Sequence, residues 1–154
     1  MPTTPVDARY EMLTLFEDAW PDATAGILDY TPQATYQGVI LKEPVDESKY
    51  WVRVSLKSAD SRQTSFVDSE AAEKTAREYT TIGVLFVQVF APMSEVDGYE
   101  NGLKLAQAAQ RIFQNAETSS SVWFRNVRIK DDLGDDGKSW LFNTVADYSF
   151  GQLN

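Results

Sequence analysis

Between Tyr50 and Lys57 the side chains alternate in type. Tyr50, Val52, Val54 and Leu56 fall on one side, and Trp51, Arg53, Ser55 and Lys57 on the other. Successive side chains of a strand point to opposite faces, so a period of two predicts a strand with one buried face. Ile82 to Phe90 is the most apolar run, broken only by Gly83 and Gln88 and closed by Pro92, and it predicts a central strand. Near the end, Val122 to Lys130 and Trp140 to Phe150 flank the acidic loop Asp131 to Lys138 and predict a hairpin. In its second strand Trp140, Phe142, Ala146, Tyr148 and Phe150 share a face.

Two stretches repeat at the helical period instead. Met12, Leu13, Leu15, Phe16, Ala19 and Trp20 mark one helix, with Asp7 as its expected cap and Pro21 as its expected end. Leu105, Ala108, Ala109, Ile112, Phe113 and Ala116 mark a second helix within Tyr99 to Ala116. Weaker patterns suggest an extended piece over Ala25 to Tyr30 and a strand around Tyr36 to Leu41. Lys42 to Ser48 reads as a solvated loop, Ser58 to Ser65 as turn-like, and Thr64 to Asp68 as a short returning strand. Ser69 to Tyr79 holds helix formers without an apolar stripe, which fits either a helix or a long arm ordered against a neighbour. The expected class is α+β: an antiparallel or mixed sheet of about four to five strands, two main helices on one face and a terminal β-hairpin.

Composition narrows the function more than the fold. The 154 residues, 43% hydrophobic and 24% charged, suit one domain over residues 1–154. With 14 basic and 23 acidic residues the net charge is −9, which argues against tight sequence-independent binding of nucleic acid. Cysteine and histidine are both absent. That excludes disulfides, thiolate zinc sites, cysteine nucleophiles, His-based triads and the HExxH helix. No run reaches the roughly 18 apolar residues of a membrane span. Met1-Pro2-Thr3-Thr4-Pro5 has neither the basic nor the apolar region of a secretory signal, so the expected compartment is a reducing cytoplasm. Charge is unevenly spread: residues 1–48 hold nine acids and two bases, 49–130 nine acids and eleven bases, and 131–154 five acids and one base. If the acidic ends and the basic centre (Arg53, Lys57, Arg62, Lys74, Arg77, Arg125, Arg128, Lys130) lie on opposite flanks, copies can join head to tail.

Candidate chemistry is thin. With Gly137 at the glycine position of an EF-hand loop, Asp132 and Asp136 take positions one and five. Gly134 then falls at three and Asn143 at twelve, where a bidentate Glu belongs, so a solvated Asp-Gly turn accounts for the loop better. Asp147, inside the aromatic-rich strand, alternates to the face opposite Tyr148 and reads as a solvent-facing strand residue. There is no G-x-S-x-G elbow, Walker A loop or dinucleotide glycine pattern. Of the tryptophans, Trp20 and Trp140 read as core or rim, whereas Trp51, on the polar face of its strand, reads as an interface residue.

The run Tyr79-Thr80-Thr81-Ile82-Gly83-Val84-Leu85-Phe86-Val87-Gln88-Val89-Phe90-Ala91-Pro92 is followed by a Gly-containing loop. Then comes the helix Gly102-Leu103-Lys104-Leu105-Ala106-Gln107-Ala108-Ala109-Gln110-Arg111-Ile112-Phe113. This order resembles the tail terminator-like (tail completion) proteins of long-tailed bacteriophages, where a G-x-L-x-V-x-V-x-x-P strand precedes a helix and a terminal hairpin with an aromatic-rich last strand. Tyr50-Trp51-Val52-Arg53-Val54 matches an earlier strand of that family, and the helix ending near Trp20 fits its opening. Two features depart from it: Asp29-Tyr30-Thr31-Pro32 stands where the family has y-x-N-x-P, and Ser58 to Glu78 is longer.

The resemblance implies a non-enzymatic virion protein of siphovirus type, made in the host cytoplasm, without cofactor or metal. It would sit as a hexameric ring at the head-proximal end of the tail, stop tube polymerisation and offer a surface for head-neck attachment. Its partners would be further copies of itself, the tail tube protein and a neck or head-completion protein. Neither sequence-specific nucleic-acid binding nor a membrane is implied, although DNA would pass through the lumen. A neck (head-tail joining, connector) protein is the near alternative, and an acidic carbohydrate-binding module or hydrolase the alternative of another class. The expected subunit interface is Trp51, Arg53 and Lys57 on the strand face with Arg62, Lys74 and Arg77 in an inter-subunit arm within 58–78. Asp131, Asp132, Asp135 and Asp136 are the expected lumen or partner surface.

Overall fold

The chain forms α1 (Pro5–Thr24), β1 (Gln33–Tyr36), β2 (Trp51–Val67), β3 (Ala76–Pro92), α2 (Gly98–Gln114), β4 (Val122–Lys130) and β5 (Ser139–Leu153). The computed structural model describes residues 3–41, 44–67, 76–116, 122–131 and 133–153, with the backbone alone at 59–67, 76–79 and 152–153. The five strands form one mixed sheet in the order β1-β2-β3-β5-β4. β1 pairs parallel with β2, and every other pairing is antiparallel. The expected α+β class, the two helices and the terminal hairpin are all present, and the apolar run in β3 occupies the central position.

Alternation explains the core. Val52 and Val54 of β2, Leu85, Val87, Val89 and Ala91 of β3, and Phe142, Ala146, Tyr148 and Phe150 of β5 are buried on one face of the sheet. They share a cluster with Ala8, Met12, Phe16 and Trp20 of α1 and Leu105, Ala108, Ala109, Ile112 and Phe113 of α2. The α1 members recur every four residues, which keeps them on one side of the helix. Rings interlock where the helices meet: Phe16 lies 4.8 Å from Trp20 and 6.1 Å from Phe113. Thr144 is polar yet fully buried in this layer. Its hydroxyl donates to the Ala106 carbonyl at 2.7 Å, which satisfies it and ties β5 to α2.

Several local expectations are corrected. α1 begins at Pro5, with Thr4 as N-cap accepting from the Asp7 N–H at 3.1 Å, so Asp7 is a donor inside the first turn and not the cap. Pro21 does not end the helix, which continues to Thr24. The proline removes one backbone bond, but the last turn is fastened elsewhere. The Thr24 hydroxyl donates to the Trp20 carbonyl at 3.0 Å, and the Trp20 indole donates to the Pro32 carbonyl at 3.0 Å. Ala25 to Tyr30 is turn and bend instead of extended chain, and the first strand is Gln33–Tyr36, not Tyr36 to Leu41. Gly38, with φ at +82°, turns the chain away after Tyr36 and leaves Ile40 94% exposed. Ser58 to Ser65 is strand, not turn. Register shifts between Ser58 and Asp60 and between Gln63 and Ser65 absorb the polar sequence as bulges in β2. Ala76 to Tyr79 opens β3, while 68–75, the rest of the expected helix or arm, lies outside the described residues.

β2 and β3 each run 17 residues. At roughly 3.3 Å per residue they span about 55 Å. The helices above them, of 20 and 17 residues, reach only about 30 and 25 Å. The sheet therefore outruns its cover. β5 accompanies β3 as far as Glu78, beyond which Phe66 pairs with Arg77 and Val67 with Ala76 in a two-stranded tip.

Tyr36 sits on the helix side of β1. Burial, with Glu17 and Asp18 of α1 adding to it, pushes its phenol up to about 12 from the usual 10. A raised folded-state value means that the associated stability is complete below pH 10 and is lost as pH rises towards 12. Urea denaturation between pH 9 and 12 should show that loss, and Tyr36→Phe should flatten it. An identical slope in the variant would locate the alkaline sensitivity elsewhere.

Candidate functional site

Both helices pack on one face of the sheet, and among the described residues no helix covers the second, whose residues follow from strand parity. β2 places Trp51, Arg53, Ser55 and Lys57 there, β3 Val84, Phe86, Gln88 and Phe90, and β5 Leu141, Asn143, Val145 and Asp147. β4 adds Trp123, Arg125, Arg128 and Lys130, opposite Ser149, Asp147, Val145 and Asn143. Cationic side chains thus stand on both flanks of an apolar and amide centre. Asp147 is the acid among these positions, and it is engaged. Arg128 Nη1 donates to it at 3.2 Å and Asn126 Nδ2 at 3.2 Å, holding the bulge where Asn126 adopts φ of +52°.

Trp51 is not the exposed aromatic that alternation suggests. It is 7% exposed, stacked on Phe90 with ring centroids 3.9 Å apart and planes 4° from parallel. The Arg53 guanidinium lies 5.4 Å from both rings, closing the stack with a cation–π contact. The segment after β1 folds over the same spot: Val39, Leu41 and Val45 line a cleft of about 240 Å³ with Thr35, Trp51 and Arg53. On its other side Trp51 borders a cleft of about 290 Å³ with Tyr30, Thr31, Gln33, Asp46, Lys49 and Tyr50. The indole Nε1 is buried with no partner among the described residues.

Neither cleft assembles a catalytic set. The Tyr30 hydroxyl accepts from the Tyr50 N–H at 3.1 Å, and the Tyr50 hydroxyl accepts from Asn101 Nδ2 at 3.3 Å. Burial raises both phenols above their usual value, so neither is poised to give up its proton. Asp46 is lowered because the Ser48 hydroxyl and N–H donate to it, which makes it a loop-former. Among the described residues no three acidic side chains cluster closely enough to hold a metal ion.

The other sequence-derived positions scatter. Arg53 and Lys57 are exposed on the open face. Arg62 and Arg77 lie on the β2–β3 ribbon, where only the backbone is described, and Lys74 lies outside the described residues. In the hairpin loop Asp131, Asp135 and Asp136 are exposed, and Asp132 is outside the described residues. Asp135 accepts from the Gly137 N–H at 2.8 Å, and Asp136 from the N–H groups of Lys138 and Ser139 at 2.9 and 2.7 Å. Those backbone donors hold the Asp136 carboxyl below the ordinary carboxylate range. At least two of the four acids therefore shape the turn, with Gly134 and Gly137 at φ of +73° and +89°.

Trp123 is the residue the sequence reading overlooked. It is 73% exposed on β4, an edge of the sheet. The signal was available: Val122 and Phe124 point to the core, so Trp123 and Arg125 share the opposite parity. α1 likewise shows Val6 and Tyr10, 77% and 70% exposed, away from its buried stripe.

The chain matches no family model and no curated protein. Among solved structures it is similar to one that carries no functional name, with a TM-score of 0.57 and 17% identity over 92% of this chain and 94% of that one. At that identity the likeness establishes a common fold and nothing about activity.

Proposed function

We propose that this chain is a tail terminator-like structural protein. Copies would form a ring on the head-proximal end of a bacteriophage tail tube, stop its polymerisation and present a surface to the neck. The observation that carries this reading is the β2–β3 ribbon, whose strands of about 55 Å outrun the helices that cover them. A subunit with more sheet than its own helices can bury is suited to neighbours, and contacts between unlike surfaces close into rings when the rotation between copies allows. The element order, with a helix, three strands, a helix and a terminal hairpin, agrees with the family resemblance.

A ring of this kind stops growth by asymmetry. One side matches the tube end, and the other lacks the surface that recruits the next tube ring. Loss of the protein from assembling particles is expected to give tubes of uncontrolled length by electron microscopy. Finished tails of normal length lying free of heads would favour the neck-joining role instead. Normal, filled and joined particles would reject both.

A further inference from the structure

Two exposed surfaces on opposite sides of the molecule complement one another. The first is the β4 flank of the open sheet face, where Trp123 is 73% exposed next to Arg125, and Lys130 stands at the far end of the same strand, paired with Asn143. Both cations are exposed, and neither forms an ion pair among the described residues. Tryptophan and arginine are the side chains that most often dominate binding energy, and cations on an edge strand discourage indiscriminate strand pairing. The second surface is the outward side of α1. Val6, Tyr10, Glu17 and Pro21 are exposed at helical spacing, with Asp18 and Asp22 next to them. One surface offers an aromatic set among cations; the other offers an aromatic and an aliphatic residue among acids.

We propose that the α1 outward face of one subunit docks on the Trp123–Arg125–Lys130 flank of the next copy of this chain. The choice of a second copy as occupant rests on the ring reading above and on the charge match between the two faces. The surfaces lie on opposite sides of the sheet, so the contact is heterologous and propagates from copy to copy, closing when the rotation between copies allows. Nucleic acid is the other polyanion that a basic face can meet. A net charge of −9 disfavours it, whereas the acids of α1 are supplied by every copy.

The test exchanges charge between the faces. One variant carries Arg125→Glu with Lys130→Glu, the other Glu17→Lys with Asp18→Lys, and each is examined by native mass spectrometry and sedimentation at low and physiological salt. Wild type is expected to form closed oligomers whose population falls with salt. Each variant alone should be monomeric, since like charges then face each other, and Trp123→Ala should weaken assembly at least tenfold. Mixing the two variants should restore oligomers with alternating copies, which misfolded chains could not do.

Oligomers that persist in both variants would overturn the docking and leave the ring reading standing. So would variants that fail to rescue each other while their circular dichroism matches wild type. A wild type monomeric under all conditions overturns the docking as well. So does a basic flank that instead binds a labelled oligonucleotide without self-association. Successful rescue combined with normal tube length in particles lacking the protein would keep the docking and reject the terminator role.

Discussion

Phe16→Ala should be the most damaging single substitution in the helical layer, costing about 3–5 kcal/mol. Phe16 is fully buried, and its ring bridges two others, Trp20 on its own helix at 4.8 Å and Phe113 on α2 at 6.1 Å. Alanine leaves a cavity between the helices and removes both ring contacts. For a chain of 154 residues that corresponds to a fall in Tm of roughly 6–20 °C. Urea unfolding followed by tryptophan fluorescence would measure it, because Trp20 reports directly on the site. A cost below about 1 kcal/mol would mean that the α1–α2 layer repacks freely and is not a specific junction.

The same substitution bears on assembly. α1 meets the rest of the protein through Ala8, Met12, Phe16 and Trp20 and exposes Val6, Tyr10, Glu17 and Asp18 on its other side. Loosening the buried side misplaces the exposed one. Phe16→Ala should therefore weaken any contact made by α1 along with stability, whereas Tyr10→Ala should weaken the contact and leave the unfolding midpoint within the scatter expected of a surface change, about 0.5 kcal/mol. Comparing the two separates what holds the helix down from what the helix offers.

Legibility in the sequence followed the strength of the period. β3, α2 and the β4–β5 hairpin are readable because their apolar positions repeat at a single spacing and because Pro92 and the Asp-Gly loop punctuate them. β1 was not readable, since four residues are too few to show alternation. Its partner is parallel and supplied by β2, and Gly38 takes the apolar Val39-Ile40-Leu41 run out of the ladder. The polar half of β2 was missed for the opposite reason. Ser, Asp, Arg and Gln look like a turn, yet the ladder offered by β3 holds them as strand, and two bulges take up the misfit.

The candidate surface was half readable. Arg53 and Lys57 lie on the open face as alternation requires, but parity says nothing about a loop folding over a strand. That is why Trp51 is stacked against Phe90 under Val39, Leu41 and Val45, while Trp123, with the same parity logic, is left exposed among the described residues.

Where the ribbon leaves the body, Gly83→Ala is expected to cost about 2–3 kcal/mol, the upper part of the usual range for overpacking. Gly83 lies on β3 opposite Ser58 of β2 and Tyr148 of β5. A β-carbon there would run into the Tyr148 ring and come within 2.6 Å of the Lys57 carbonyl oxygen. The ring can swing away and the carbonyl, fixed in the neighbouring strand, cannot. Tyr148→Ala alone should also destabilise, because the ring is 3% exposed and stacked on Phe150 at 6.2 Å. In the double variant the methyl group enters space the ring has left. The combined cost should fall short of the sum by about 1–2 kcal/mol, a coupling typical of residues in contact. A residue of strain from the Lys57 carbonyl would remain. Costs that simply add in a double-mutant cycle would mean that the tyrosine is not what excludes a side chain at position 83. The glycine would then be required by the carbonyl alone, and the ribbon's root would be set by backbone contact between β2 and β3 and not by the aromatic layer beneath.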